Sequence, residues 1–409
     1  MLHHNRETFD RDARAGHARK TVSRVLALKA ATIALAVVYV ASTLPTPLYT
    51  LYEHRFGFSQ LVVTEIYAVY LLGNLGVLLL LGHLSDQIGR RPVTIVALGA
   101  AIVSTLFFFA AHSALWLFLA RGTNGFAAGL GASTLTAWIA ELEPRSDRAR
   151  AALIAVAGNL AGLAFGALLG GVLARALPWP LRTCYGVYLA LLGGTIALVS
   201  ALPETVERRA RSWRELSLRP RIGVPSELRR RFIAPASIAF ATLALSGFYA
   251  ALVPGLLTRL GQTSPAVVGG VVAAYFGIGT CVAAAVPTKS STALRVAIVL
   301  MIAAVVLLVA ADLMRSFLAL LFATLASGGA LAFGFRGSLQ TVNEMAPSDR
   351  RAELVSAYLL ACYTGNALPV LGVGWLGKAL GNQPANAIFA AVLIGLGLLA
   401  FVAGRQAER

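Results

Sequence analysis

The chain has 409 residues, of which 57% are hydrophobic and only 13% charged, with a net charge of +17 and a mean hydropathy of +0.73. Soluble domains carry about 25% charged residues, so the composition excludes a soluble enzyme and points to an integral membrane protein. The positive charge falls in short segments between apolar runs, the pattern of the positive-inside rule and not of a solvated basic face for nucleic acid.

The chain opens on a polar segment, 1–27, holding His3, His4, His17 and a series of arginines. It has no metal-ligand spacing, and no short apolar core with a small-residue cleavage site follows it, so no cleaved leader is expected. A membrane helix needs roughly 20 apolar residues. By that criterion the apolar runs predict twelve helices, over 28–48, 61–81, 92–111, 115–139, 151–174, 181–202, 233–257, 266–287, 294–311, 317–341, 353–377 and 384–404. The expected fold is therefore an all-α membrane protein with six helices on each side of a basic linker, 203–231, and a short tail at 405–409.

If the N-terminus is cytoplasmic, most Lys and Arg lie on that side. Arg55, Arg175, Arg182, Arg259, Arg315 and Lys378 are left outside, and both termini are cytoplasmic. The linker sets Arg208, Arg209, Arg211 and Arg214 beside Trp213, Leu216 and Leu218. Two readings stand for it: a short interfacial helix on anionic lipid, or a basic tether. Cys184, Cys281 and Cys362 are odd in number, far apart and within apolar runs. They give neither a disulfide framework nor a metal site.

An internal repeat supports the division in two. Glu141, Pro144, Asp147 and Arg148 follow helix 4; Glu344, Pro347, Asp349 and Arg350 follow helix 10. Entering helix 2, Ser59, Val62, Val63, Ala68 and Tyr70 recur as Ser264, Val267, Val268, Ala273 and Tyr275. Parallel repeats of six helices place a substrate site near the midplane, between the halves.

The turn after helix 2 reads GHLSDQIGRR, with Gly82, Leu84, Asp86, Gly89, Arg90 and Arg91. Ten such residues do not fit in hydrocarbon. They resemble the signature G-x-L-a-D-r-x-G-r-k of the major facilitator superfamily, with Gln87 where a basic residue is usual. The resemblance covers nearly the whole length and implies a two-halved transporter working by alternating access. It assigns Gly82, Asp86, Gly89, Arg90 and Arg91 to a cytoplasmic gate, with Asp86 latching against the start of helix 11. A plain loop cap is the alternative. The second-half counterpart, 287–295, lacks both acid and glycines.

Helix 4 carries Arg121 in LFLARGTNG. A cation inside a membrane helix costs about 2.5–3.5 kcal/mol on insertion scales and needs a partner. The segment resembles a second pattern of the superfamily, l-x-x-x-R-x-x-q-G, with Asn124 for Gln. In drug–proton antiporters that Arg is tied to proton coupling, which the resemblance implies for Arg121. Glu65, one turn into helix 2, is the expected carboxylate partner; a position in the outer headgroup zone is the alternative. Asp312 is read as a rim residue, and Arg336 as pairing with Glu344 or reaching the cytoplasm.

Helix 5 spaces Gly158, Gly162, Gly166 and Gly170 by four and adds Gly171. This is a small-residue stripe for tight helix packing. It also resembles the antiporter pattern G-x-x-x-G-P-x-x-G-G, with Ala167 in place of proline. The prolines of LPTPLY, Leu44 to Tyr49, are expected to stop or hinge helix 1. Polar and aromatic residues on the helices that line the cavity in this family single out Tyr39, Asn124, Asn159, Tyr249, Phe333, Tyr363 and Asn366 as a substrate pocket, suited to an amphipathic ligand.

No P-loop, nucleophile elbow, zinc helix or dinucleotide fingerprint is present, so no cofactor, no metal and no enzymatic activity are expected. The expected function is proton-coupled efflux of a small organic, drug-like compound by a monomer in the bacterial inner membrane, the multidrug-resistance class. The alternatives are a metabolite importer or uniporter of the same superfamily, with Arg121 facing an anionic substrate, or a non-transporting membrane sensor.

Overall fold

The computed structural model describes residues 24–206, 222–286, 288–347 and 350–407. Trp213, Leu216, Leu218 and the linker arginines Arg208, Arg209, Arg211 and Arg214, together with Asp349, lie outside the described residues. Among the described residues, twelve long helices run in order: α1 (Arg24–Phe56), α2 (Gln60–Leu81), α3 (Arg90–Phe109), α4 (Ala114–Leu142), α5 (Arg148–Ala176), α6 (Pro180–Ser200), α7 (Ser226–Arg259), α8 (Pro265–Ala285), α9 (Ser290–Leu313), α10 (Phe317–Met345), α11 (Arg351–Leu380) and α12 (Asn382–Ala407). Eleven of them are long and apolar enough to cross a membrane. α4 falls short in hydropathy because Arg121, Asn124 and several glycines interrupt its apolar residues, yet its 29 residues span about 43 Å, more than a bilayer core.

Two helices depart from the expected bounds. α1 does not stop at its prolines. The chain turns at 44–45, passes through a 3-10 turn, Thr46–Leu48, and continues as a helix, Tyr49–Phe56, closed by Gly57 in the left-handed region. The amide that a proline lacks is one a 3-10 turn can spare. α7 carries a π-turn, Phe248–Leu252, just before Pro254, a common way to accommodate proline within a helix.

Each packing pair of the first six helices recurs six positions later. α2 and α3 pack on α4, as α8 and α9 pack on α10; α3 packs on α6, as α9 packs on α12. The glycines of α5 meet α1 at every turn: Gly158 faces Thr32, Gly162 faces Ala36, Gly166 faces Val40 and Gly170 faces Leu44. Gly365 of α11 meets Phe240 of α7 in the corresponding place. A side chain at Gly162 runs into the backbone of Ala36, whereas Gly186 of α6 faces open space. Gly162→Ala is therefore expected to lower the melting temperature, at a cost of about 1–3 kcal/mol from overpacking. Gly186→Ala is expected to be neutral or slightly stabilising. Equal melting temperatures for the two variants would contradict the packing role of Gly162.

The first six helices meet the last six through α5 on α8 and α2 on α11. Gly171 lies on Gly269, and Gly374 on Thr64 and Leu61. The Tyr67 hydroxyl donates to Asn366 Oδ1 at 3.0 Å, and Arg175 lies 3.5 Å from Ser264 Oγ. Because successive helices run up and down, the packing contacts and the Arg175–Ser264 pair fall toward the end opposite residue 24. The repeat thus builds a cross-link between its halves at one end of the bundle.

Candidate functional site

At the end nearer residue 24, the turn between α2 and α3 organises a charged cluster. After the short helix Leu84–Ile88, Gly89 adopts φ +120°, a conformation open to glycine and strained for other residues. It reverses the chain so that the N-terminus of α3 faces a carboxylate. Arg90 N–H donates to Glu204 Oε1 at 2.9 Å and Arg91 N–H to Oε2 at 3.1 Å. An anion at a helix N-terminus satisfies unpaired amides and the helix dipole together.

The Arg90 side chain is buried, with 7% exposed. Nη1 lies 2.5 Å from Asp86 Oδ1, and Nη2 lies 2.6 Å from Glu141 Oε1 at the end of α4. Nη1 also donates to Ser85 Oγ at 2.6 Å, and Thr205 Oγ1 donates to Glu141. Arg91 Nη1 donates to the Ser200 carbonyl at 3.2 Å, capping the C-terminus of α6. Gly82 ends α2 in ordinary helical conformation. Among the described residues no ion pair joins Asp86 to the start of α11, where the latch is expected. The partners of Asp86 among the described residues are Arg90 and His83, because the nearby Arg90 guanidinium offers a charge-assisted bond within the same turn.

Burial alone raises the Glu204 carboxyl, but backbone N–H donors from Arg90, Val206, Arg91 and Thr205 outweigh it and hold it below the usual carboxylate range. A depressed native pKa stabilises the fold fully above the unfolded value, about 4.3 for Glu. That stabilisation is lost as pH falls through the native value. The melting temperatures of the protein and its Glu204→Gln variant are thus expected to differ near neutrality and to converge below about pH 4. A constant difference across that range would refute the carboxylate tie.

The second site surrounds Arg121, which is fully buried in α4. Its Nε and Nη2 donate to the Tyr49 hydroxyl at 2.9 and 2.6 Å, and Nη1 donates to the Ser42 carbonyl at 2.8 Å. The guanidinium also sits over three rings: Tyr49 and Tyr70 at 5.5 Å and Phe108 at 5.8 Å. Cation–π contacts strengthen when desolvated. Among the described residues no ion pair joins Arg121 to Glu65 or to any other carboxylate. The geometry explains why. Tyr70, which faces Arg121, lies five residues beyond Glu65, about 140° around the helix. Glu65 therefore belongs to another, half-buried face.

The remaining polar residues form a strip across the bundle. Tyr39 of α1 lies beside Asn159 of α5 and Tyr363 of α11. Tyr363 in turn lies by Tyr70 and Asn74 of α2. Tyr67 joins Asn366 and neighbours Tyr275 of α8. Tyr249 stacks on Tyr275 with centroids 4.2 Å apart and donates to Thr324 Oγ1 at 3.1 Å. Asn124 is fully buried, and neither atom of its amide has a hydrogen-bond partner among the described residues. Asn74 Oδ1, Ser42 Oγ and Ser327 Oγ are in the same condition.

The structure thus brings Tyr39, Asn159, Tyr249, Tyr363 and Asn366 into one strip. Phe333 stands apart, packed with Ile238, Ala297, Ile298 and Ala400 in the apolar interior of α7, α9 and α12. Gly158, Gly162, Gly166 and Gly170 serve the α1 contact, and Gly171 serves the α8 contact. Sequence reasoning missed Tyr49, Tyr67, Tyr70, Asn74 and Tyr275. A signal existed for three of them: Tyr67, Tyr70 and Asn74 follow i, i+3, i+7 spacing and share one helix face.

Two other expectations are corrected. Asp312 is no rim residue: it is 4% exposed, lies 3.2 Å from Arg259 Nε and accepts from Asn386 Nδ2 at 2.7 Å. For Arg336 only the pairing with Glu344 is corrected, since no ion pair joins the two among the described residues; the alternative, reaching the cytoplasm, stands. Arg336 Nη1 donates to the Ala283 and Val286 carbonyls at 3.0 and 3.1 Å, where a cation meets the negative end of α8.

Comparison with known proteins gives these features a context. The family model of the Major Facilitator Superfamily matches residues 31–368. Multidrug resistance protein D of Escherichia coli (strain K12) is 27% identical over 172 residues, 42% of this chain and 43% of that protein. Multidrug resistance protein MdtL of Klebsiella pneumoniae is 25% identical over 142 residues, 33% of this chain and 36% of that protein. The matches thus span less than half the length of either relative. Among solved structures, nucleoside transporter NupG has a TM-score of 0.74 at 13% identity, covering 92% of this chain and 99% of that one. A bacterial homolog to the human lysosomal transporter Spinster, in an inward-facing and unoccupied conformation, has a TM-score of 0.68 at 16% identity, covering 94% and 97%. The architecture, the charged turn and the family match agree: the chain is a multi-pass membrane protein, and it belongs to the Major Facilitator Superfamily.

Proposed function

We propose that this protein exports a small organic, drug-like compound by alternating access, driven by inward proton flow, as a monomer in the bacterial inner membrane with both termini cytoplasmic. The observation that carries this reading is Arg121, a cation fully buried among aromatic rings, three residues before Asn124, whose buried amide has no hydrogen-bond partner among the described residues. A charge so placed responds strongly to a proton or substrate entering nearby, since low dielectric magnifies each interaction. The partial similarity to two multidrug resistance proteins supports the export direction.

The geometry of the two halves supports alternating access. The glycine contacts Gly171–Gly269 and Gly374–Thr64 join the halves at the end opposite residue 24. At the other end, Arg90, Asp86, Glu141 and Glu204 knit the first six helices among themselves. With the termini cytoplasmic, this corresponds to a cleft facing inward. The aromatic strip between the halves suits an amphipathic ligand.

A second reading rests on one specific observation. Arg121 has no carboxylate partner among the described residues, so an anionic substrate would supply the missing charge and the protein would act as a uniporter or importer. The two readings separate in liposomes holding the purified protein under an imposed pH gradient, with lipophilic cations and organic anions offered in turn. Proton-coupled export predicts cation flux that follows the gradient and vanishes with a protonophore. Anion flux indifferent to the gradient would replace it by uniport.

A further inference from the structure

A cavity of about 400 Å³ lies away from the aromatic strip, among the ends of α7, α9, α10 and α12 nearest residue 24. That volume is within the range of small-ligand sites. Its lining is divided by depth. Arg231 of α7, Ser291 and Arg295 of α9 and Glu344 of α10 are exposed at the mouth. Ala234, Pro235, Ile238, Ile298 and Ala400 are buried beneath them. Below that floor Ala297, Ile302 and Phe333 pack against Ile238, Ile298 and Ala400.

The charge at the mouth favours an anion. Two guanidinium groups flank it, and Ser290 and Ser291 begin α9, so the positive end of that helix dipole points the same way. Glu344, the one carboxylate that lines it among the described residues, offsets one of these two positive charges and leaves a positive excess; Ser290 Oγ donates to its Oε2 at 2.9 Å and Gln340 Nε2 to its Oε1 at 2.8 Å. A polar anion alone would leave the apolar floor uncovered. The outer walls indicate what covers it. Leu398, Leu399, Phe401 and Val402 of α12 are 54%, 50%, 43% and 53% exposed, and Val299 of α9 is 66% exposed. These faces are the lipid-exposed surface of a membrane helix, and Phe401 carries that surface to the mouth of the cavity. The mouth itself stands where the apolar runs give way to Arg229, Arg230 and Arg231, the level of lipid headgroups.

We propose that this cavity is a binding site for an acidic phospholipid, with its phosphate held between Arg231 and Arg295 and an acyl chain laid over Ile238 and Ile298. Basic pockets between membrane helices are the general form such sites take. The phosphate receives charge-assisted hydrogen bonds from the two guanidinium groups. The acyl chain replaces water over the buried apolar floor.

The test is binding of dioctanoyl phosphatidylglycerol to the full chain in neutral detergent, followed by native mass spectrometry and thermal shift. Dioctanoyl phosphatidylcholine tests the charge, and glycerol phosphate tests the need for a chain. Saturable binding of the phosphatidylglycerol is expected, weakened about 30-fold in Arg231→Ala/Arg295→Ala, since each cation near a lipid headgroup contributes roughly fivefold. Lysine at both positions is expected to retain most of the affinity. Arg229→Ala/Arg230→Ala removes equal charge from exposed neighbours outside the cavity and is expected to leave binding nearly unchanged. Gel filtration and the unliganded melting temperature verify that each variant folds. Equal weakening by both double variants would show diffuse attraction and overturn the site. So would equal binding of phosphatidylcholine, or of glycerol phosphate without chains.

Discussion

Replacing Arg121 by methionine is expected to abolish gradient-driven flux while leaving the melting temperature unchanged or higher. The two effects separate because the cation is costly to the fold. It is fully buried, and its partners among the described residues are neutral: one hydroxyl, one carbonyl and three rings. Exchanging a buried charge for an apolar side chain of similar length is often neutral or stabilising. What remains is an unpaired Tyr49 hydroxyl and Ser42 carbonyl, a loss of about 1–3 kcal/mol that offsets part of the gain. The transport effect is larger. One proton moving through 100 mV supplies about 2.3 kcal/mol, or roughly a 50-fold gradient at 1.4 kcal/mol per tenfold, and loss of coupling forfeits all of it. Measuring steady-state accumulation and melting temperature on the same preparation checks both. A variant that melts at the native temperature yet still accumulates substrate against its gradient would remove Arg121 from the mechanism.

Asp312→Ala is expected to be the most destabilising single change at a charged residue. Asp312 ties three helices: its carboxylate faces Arg259 of α7 and accepts from Asn386 of α12, and its carbonyl lies 3.4 Å from Gln383 Nε2. Breaking a buried pair by removing one partner costs about 3–5 kcal/mol. Arg259 keeps 29% of its side chain exposed and recovers part of that in water, so a loss of about 3 kcal/mol is expected. Asp312→Asn retains the shape and one acceptor and is expected to cost about half as much. Thermal unfolding in detergent, followed by exposure of the buried cysteines Cys184 and Cys362, gives the order of the three proteins. Indistinguishable Ala and Asn variants would mean that the carboxylate charge contributes nothing.

The twelve helices were legible in the sequence because membrane insertion is decided by local composition. A run of apolar residues is its own signal, whatever it later packs against. The charged turn was legible for a similar reason: Gly89, Arg90 and Arg91 act within ten residues of Asp86. The glycine stripe of α5 followed from its spacing alone, though not the division of labour between Gly170, facing α1, and Gly171, facing α8.

Choice of partner was another matter. Sequence depth placed Glu65 level with Arg121, but rotation about α2 turned it away and presented Tyr70. The prolines of α1 read as a stop or a hinge; the chain turns at them, continues as a helix and delivers Tyr49 to Arg121 from 72 residues away. Asp312 read as a rim residue and became the buried centre of a three-helix tie. The sequence by itself determined the membrane class, the helices, their repeat and the charged turn, since each depends on residues close in the chain. The tertiary structure alone decided which groups surround Arg121 and Asp312, because burial and hydrogen bonding depend on how each helix is rotated against its neighbours.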